Sequence, residues 1–210
     1  MSDLPLTVGI EEEYLLVDVL TRNLAEDPPK ELLRDCQEVH EGQVTPEFLR
    51  AQIEVGTKVC SSIDEARNEL RQLRGTISSV SSKYGLAPIA ASTHPFAKWN
   101  KQKPTPQARY ATLASELKSV GRRLVTCGMH VHIGIEDPDL RIDMMSQITY
   151  FLPHLLAFTT SSPFWDGYDT GLKSYRVSVF DGLPRTGLPE NFESYAQYQR
   201  FVSTLVGAGI

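Results

Sequence analysis

Hydrophobic and polar residues alternate over residues 6–18, where valine, isoleucine, leucine and tyrosine predominate. This alternation predicts a β-strand whose successive side chains face opposite ways. Three further segments show a strand pattern: residues 47–55, 86–92 and 124–135. The pattern therefore predicts a sheet of at least four strands.

A helical period follows Ser62, because apolar residues then recur at steps of three and four. Ser62 and Glu65 have the spacing of a capping box, and Gly85 is expected to end the helix. Its predicted core face is Ile63, Ala66, Leu70, Leu73, Ile77, Val80 and Tyr84. Other helices are predicted at residues 28–42 and 106–121, from residue 137 with an interruption at Pro153, and from about residue 190. Residues 161–174 and 182–189 are predicted to be irregular.

The order of these elements indicates a single α+β domain over residues 1–210, with an antiparallel or mixed sheet covered by helices. There is no internal repeat and no linker-like segment. The last predicted helix runs into the apolar sequence "VGAGI". We therefore expect the chain to be the N-terminal portion of a longer domain.

Composition narrows the class of protein. The 210 residues are 41% hydrophobic and 22% charged, with a mean hydropathy of -0.23, which is typical of a globular protein. The net charge of -5 argues against nucleic acid binding. The three cysteines lack C-x-x-C spacing, and neither a signal peptide nor a membrane span is evident, so we expect free thiols in a cytoplasmic protein.

The first strand, "VGIEEEYLLVD", carries three consecutive glutamates. Side chains alternate along a strand, so Glu11 and Glu13 share one face and lie roughly 6 to 7 Å apart, while Glu12 shares the other face with apolar residues. An arbitrary E-x-E pair is more often simply exposed to solvent. Embedded in apolar sequence, this pair instead favours a divalent cation such as Mg²⁺, whose preferred ligands are oxygens. Glu12 is expected to be paired at a sheet edge.

The later strand "VTCGMHVHIGIED" places two imidazoles on one face. His130 and His132 alternate with glycines on that face, which leaves room for a ligand. The opposite face is wholly apolar: Val125, Cys127, Met129, Val131, Ile133 and Ile135. Lone histidines are usually structural, whereas two on one bare face favour metal binding or proton transfer. Glu54, on the polar face of its own strand, could add a carboxylate.

Three basic residues lie in or beside the glycine-rich segments: Lys173, Arg176 and Arg185. Guanidinium groups and loop backbone commonly hold phosphate or carboxylate oxygens. Ordinary surface charge is the simpler interpretation of these residues taken alone.

Six segments in order resemble the carboxylate-amine ligases of the type 2 glutamate-cysteine ligase family, the YbdK type. They are "VGIEEEYLLVD", "QIEVGT", "ASTHPFAKW", "CGMHVHIGIEDPD", "FLPHLLAFTTSSPFWDGYDTG" and "SYRVSVFDGLPRTGLP", and they cover nearly the whole chain. The resemblance implies a glutamine synthetase-like fold, a curved, mostly antiparallel sheet with helices on one side. It also implies a reaction in which ATP phosphorylates a carboxylate, typically that of glutamate, and an amine such as cysteine then attacks the acyl phosphate.

The resemblance also implies residue roles. Glu11, Glu13, Glu54 and His130 would be metal ligands for Mg²⁺, with Mn²⁺ as a substitute. His132 would lie beside substrate or phosphate, and Arg176 would contact the substrate carboxylate or the transferring phosphate. Arg185 and Lys173 are predicted as further ATP contacts from their place in or beside the glycine-rich segments, not from the resemblance. His94 matches the family pattern without an assigned role. The expected partners are small-molecule substrates, and a homo-oligomer is left open.

Two alternatives belong to other functional classes. The spacing of His130, His132 and Glu136 matches an H-x-H-x3-E motif of cupin metalloproteins, which bind iron or manganese. The predicted helix content argues against a small β-barrel of that kind. The second alternative is a non-catalytic module that binds a ligand without turnover.

Overall fold

The computed structural model describes residues 6–183 and 186–209. Its strands are β1 (Thr7–Asp18), β2 (Val44–Pro46), β3 (Gln52–Gly56), β4 (Leu86–Ile89), β5 (Met129–Gly134), β6 (Phe164–Trp165) and β7 (Tyr168–Asp169). Its helices are α1 (Lys30–Val39), α2 (Ile63–Ser82), α3 (Ala108–Leu117), α4 (Ser119–Arg122), α5 (Pro138–Ile148), α6 (Leu152–Thr159), α7 (Arg176–Phe180) and α8 (Tyr195–Gly207).

Strand β1 lies at the centre of the main sheet, because β3, β4 and β5 all pair with it in antiparallel orientation. Leu15 pairs with both β3 and β4, and Glu11 pairs with both β3 and β5. Strands β4 and β5 therefore follow one another along the edge of β1 opposite β3. Strand β2 extends the sheet beyond β3, also antiparallel.

The core occupies both faces of this sheet. On one face α1 and α2 pack over Tyr14 and Leu16 of β1, with Ile53 and Val55 of β3. On the other face, towards the C-terminal end of β1, Leu15 and Val17 pack with residues of α3 and the connecting segments. The expected α+β class with an antiparallel sheet and packed helices is confirmed.

Helix α2 matches its prediction closely. The Ser62 side chain accepts a hydrogen bond from the backbone N–H of Glu65, while the Glu65 carboxylate accepts one from Ser61. Gly85 follows the helix with a φ of 68°, a conformation that glycine adopts without strain. The predicted core face is buried except for two residues: Ile63 is 62% exposed, and Tyr84, beyond the end of the helix, is only partly buried.

The strand predicted at residues 47–55 is wrong in its first half. The chain forms β2 over Val44–Pro46, turns, and resumes as β3 only at Gln52. Phe48, Leu49 and Ala51 instead fill the second core region, on the face opposite α2. These apolar side chains are buried although they lie in a turn. The sequence therefore alternates as a strand would, without a continuous strand being formed.

The strand predicted at residues 124–135 is shorter than expected, since β5 begins at Met129. Val125 and Cys127 are buried as predicted, whereas Met129, Val131 and Ile133 are each more than 50% exposed. Their side chains share the face of β1 that α1 and α2 cover, but the helix layer packs on β1, β3 and β4 and does not reach β5.

One of the two segments predicted to be irregular contains regular structure. Residues 161–174 include the β6–β7 hairpin, whose central residues Asp166 and Gly167 have φ values of 53° and 91°. An Asp-Gly pair is a known signal for this type of turn. Helix α7, which begins at Arg176, lies between the two segments and was not predicted.

The remaining helices follow their predicted segments with breaks and shifts. Residues 106–121 divide into α3 and α4 at Lys118, where φ is 47°. The helix starting at Pro138 divides near Pro153 into α5 and α6, as predicted. The last helix, predicted from about residue 190, begins later, at Tyr195. Within the described residues no helix has the length and apolar character needed to cross a bilayer.

Candidate metal and phosphate site

Strand β1 places its three glutamates as its alternation predicts. Glu11 and Glu13 project from one face, and Glu12 is buried on the other, against α2. Glu12 is paired, but not at a sheet edge as expected, because β3 and β5 flank it on both sides. Its carboxylate binds the guanidinium of Arg74 and the hydroxyl of Tyr14.

The first group of candidate ligands joins β1 to β5. Glu11 lies directly across from His130, with Glu11 Oε2 at 3.2 Å from His130 Nδ1 and 3.1 Å from His132 Nε2. Ligand atoms of the three residues lie within 4.8 Å of one another. The hydrogen bond from His132 is the main cause that lowers the pKa of Glu11. One carboxylate and two imidazoles in this arrangement could hold a divalent ion.

The second group contains only carboxylates. Glu13 pairs with Glu54 across β1 and β3, and Glu47 joins them from the turn between β2 and β3. Ligand oxygens of the three lie within 4.8 Å of one another. Burial, followed by the hydrogen bond and charge of Glu47, raises the pKa of Glu54 to about 8. Burial and the Glu47 charge also raise the pKa of Glu13. A divalent cation would relieve this repulsion with oxygen ligands.

Glu47 was missed in the sequence. A continuous strand over residues 47–55 would have put it on the apolar face with Leu49, away from Glu54. The turn before β3 breaks that alternation and turns the Glu47 carboxylate towards Glu54. A glutamate seven positions before Glu54 carried no recognisable signal by itself.

Arg176 lies near the group of carboxylates, close enough for its charge to act on Glu13. Its Nε donates to the carbonyl of Cys127 at 3.1 Å, and its guanidinium lies 4.4 Å from the centre of the Phe180 ring. The neighbouring Gly128 N–H donates to Glu13 Oε2 at 2.8 Å. A Cβ added at Gly128 would lie 2.7 Å from Arg176 Nη2. Glycine therefore allows the guanidinium to approach the backbone beside Glu13.

A small cleft opens beside Glu13, where β4 has ended and β5 has not begun. Its volume is about 180 Å³. It is lined by Glu12, Glu13, Ala90, Ala91, Ser92, Cys127, Gly128, Met129 and Ser161. A larger, mainly apolar cavity of about 300 Å³ lies between the start of α1 and residues 105–107.

The other predicted residues lie elsewhere or outside the description. Lys173 lines a separate cavity with residues of the β6–β7 hairpin. Arg185 lies outside the described residues. His94 is buried and structural: its Nε2 donates to the Arg22 carbonyl at 3.0 Å, and its Nδ1 accepts from the backbone N–H groups of residues 96 and 97.

The structure does not bring together the ligands that the cupin alternative requires. It required Glu136, which is exposed and lies beyond the end of β5. The two histidines instead share Glu11 from a different strand.

Comparison with known proteins shows the family of this chain. A sequence model of glutamate-cysteine ligase family 2 matches residues 7–210. A relative from Rhodospirillum rubrum that carries the provisional name glutamate–cysteine ligase 2 is 61% identical over 214 residues, which is 100% of this chain and 55% of the relative. A relative of the same name from Jannaschia sp. is 55% identical over 205 residues, covering 98% of this chain and 54% of the relative.

The fold is also similar to that of a solved structure. The crystal structure of a bifunctional glutathione synthetase from Pasteurella multocida matches 98% of this chain and 31% of that chain, with a TM-score of 0.77 and 13% sequence identity. The chain spans about half the length of the curated relatives that it matches. With nearly all of its residues covered by the family model, the chain belongs to glutamate-cysteine ligase family 2.

Proposed function

We propose that this chain carries the metal-binding and phosphate-contacting residues of an ATP-dependent carboxylate–amine ligase. The observation that carries the proposal is the pair of ligand groups on one face of the sheet, one of carboxylates alone and one of a carboxylate with two imidazoles. The names of the relatives support glutamate and cysteine as the substrates, with γ-glutamylcysteine, ADP and phosphate as the products.

The donor sets suit the proposed ions. Glu13, Glu47 and Glu54 offer only oxygens, the ligands that Mg²⁺ prefers and that Mn²⁺ also accepts. Glu11 and His130 would hold a second ion at the neighbouring position. When bound, Mg²⁺ neutralises phosphate charge during phosphoryl transfer.

The remaining groups would act on the substrates. Arg176 carries a fixed positive charge beside Glu13, where it would orient a substrate carboxylate or the transferring phosphate. His132, hydrogen-bonded to Glu11, would lie next to the same oxygens. Phosphorylation turns a poorly electrophilic carboxylate into an acyl phosphate that an amine can attack. Positioning and charge neutralisation supply most of the catalysis in such a transfer. Lys173 and Arg185 stay predictions for further ATP contacts.

The test measures ADP formation from ATP, Mg²⁺, glutamate and a panel of amines. We expect ADP formation that requires the carboxylate and disappears in Glu13→Gln, with Mn²⁺ binding weakened in the same variant. Glu41→Gln, an exposed glutamate in a turn, is the matched control and should match the wild type. Activity that survives in Glu13→Gln would contradict the assigned role.

A non-catalytic binding module is the second candidate, because the chain spans about half the length of its relatives. Metal and nucleotide binding without carboxylate-dependent ADP formation would support this alternative over the ligase.

A further inference from the structure

The middle glutamate of β1 lies in an unusual environment. Glu12 is 5% exposed and projects from the face of β1 opposite Glu11 and Glu13. Its Oε2 accepts from Arg74 Nε at 2.8 Å and from the Tyr14 hydroxyl, and Arg74 Nη2 binds its other oxygen. Arg74 comes from the middle of α2.

The pairing compensates a charge that would otherwise be buried alone. A buried carboxylate without a partner is strongly unfavourable, and a planar guanidinium satisfies both oxygens at once. Tyr14 contributes only one hydrogen bond and no charge. Arg74 therefore carries the charge compensation that keeps Glu12 on the helix face of the sheet.

The position of Glu12 fixes the positions of its neighbours. Side chains of a strand alternate with a period of two, so a shift of β1 that released Glu12 to solvent would turn Glu11 and Glu13 away from their ligand groups. We propose that Arg74 is a positioning residue for both candidate metal groups, through the Glu12 ion pair on the opposite face of β1. This inference rests on the proposed function, because the two groups must bind metal for Arg74 to affect them.

The fold offers a way to separate positioning from stability. Leu73 and Ile77 are buried against the sheet on either side of Arg74, so α2 stays anchored when Arg74 is replaced. Arg67, on the same helix, pairs with the exposed Asp64 and with no other acidic residue among those that the structure describes. The variant Arg67→Met is therefore a matched control for Arg74→Met.

The experiment measures Mn²⁺ affinity by titration calorimetry in the wild type, Arg74→Met, Glu12→Gln/Arg74→Met and Arg67→Met, with urea unfolding of each. We expect Arg74→Met to weaken Mn²⁺ binding by about tenfold or more, a loss comparable to that seen when groups that orient metal ligands are removed. The double variant has no buried charge to drive a shift of β1. Its affinity should return to within about threefold of the wild type, and Arg67→Met should equal the wild type.

Three results would overturn the inference without affecting the proposed function. Unchanged Mn²⁺ affinity in Arg74→Met with a lower unfolding midpoint would make Arg74 merely structural. Tighter binding in Arg74→Met would show that its charge acts through the electric field and not through position. If Arg74→Met does not fold, weak binding in a folded double variant would overturn the inference, and wild-type affinity there would support it. Absence of Mn²⁺ binding in the wild type would instead overturn the proposed function, and this inference with it.

Discussion

Gly128 is the point where the backbone before β5, the Glu13 carboxylate and the Arg176 guanidinium meet. Its N–H holds the carboxylate, and its missing side chain leaves space for the guanidinium. Gly128 therefore holds the Glu13 carboxylate and leaves room for the charged Arg176 side chain, although glycine itself has no functional side chain.

Gly128→Ala should lower the catalytic efficiency of the enzyme more than its folding stability. The new Cβ would lie 2.7 Å from Arg176 Nη2, the end of a flexible side chain that can move aside. In enzyme assays we expect kcat/KM for the carboxylate substrate to fall by about tenfold, since loss of a charge-assisted contact costs roughly 1.5 kcal/mol or more. Gly75→Ala, in α2 with open space around its Cβ, is the control and should raise helix stability by about 0.5–1 kcal/mol. Unchanged kcat/KM in Gly128→Ala would contradict the role of Arg176.

His94 should make stability depend on pH. Burial lowers its pKa below 6.5, so below pH 6.5 the unfolded chain takes up a proton that the folded chain does not. Stability from His94 is present above pH 6.5 and is lost as the pH falls through its folded pKa, by up to about 1.4 kcal/mol per pH unit.

Urea unfolding at pH 7.5 and 5 would check this. The stability of the wild type relative to that of His94→Gln should fall from pH 7.5 to pH 5, while the exposed His154→Gln behaves as the wild type. The same change in stability in the wild type and in His94→Gln would show that His94 takes up its proton in the folded state.

At the scale of elements, strands and helices depend on local sequence to different degrees. Helix α2 formed almost as predicted because its cap, its period and its terminal glycine all lie within the helix or next to it. Strand β3 was predicted too long, because the burial of Phe48 and Leu49 comes from packing beneath the sheet and not from strand pairing. The β6–β7 hairpin carried a local signal, Asp166-Gly167, that the glycine-rich composition of its segment obscured.

Ser62→Ala should destabilise α2. The Ser62 hydroxyl accepts from the Glu65 N–H at 3.2 Å, and loss of such a cap costs about 1 kcal/mol. Thermal or urea unfolding would measure the loss. Ser78→Ala, on the exposed side of the same helix, should be neutral or slightly stabilising, because alanine has the higher helix propensity. A Ser62→Ala protein as stable as Ser78→Ala would contradict the capping role.

At the scale of the whole molecule, the site depends on three strands and one turn. Strand β1 supplies Glu11 and Glu13, β3 supplies Glu54, the β2–β3 turn supplies Glu47, and β5 supplies the histidines. Such a cluster stores repulsion in the metal-free protein, because its carboxylates lie close together and partly buried. Global stability should therefore respond to pH and to divalent cations together.

The metal-free protein should lose stability as the pH rises from about 5 towards 8. Glu54, with a folded pKa raised from 4.5 to about 8, is protonated more often when folded than when unfolded in this interval, and Glu13 contributes in the same direction. Mg²⁺ or Mn²⁺ should reverse the trend. A free ion concentration of 100 times the Kd stabilises the folded state by about 2.7 kcal/mol.

Thermal unfolding at pH 5.5 and 8, with chelator and with Mn²⁺, would test this. Glu54→Gln should reduce both the pH dependence and the gain from Mn²⁺, whereas Glu41→Gln should leave both unchanged. Stability of the metal-free wild type that increases towards pH 8 would contradict the raised pKa values.

The sequence by itself determined what lies within one element: Glu11 and Glu13 on one face of β1, Glu12 on the other, His130 and His132 side by side, and the buried stripe of α2. These follow from the fixed periods of strands and helices, which need no knowledge of the rest of the chain. Only the tertiary structure decided that the ligands form two groups, that Glu47 joins one of them, that Glu12 meets Arg74, and that Lys173 lies in another cavity. Those outcomes depend on turns and on contacts between residues far apart in sequence, where no local period constrains the geometry.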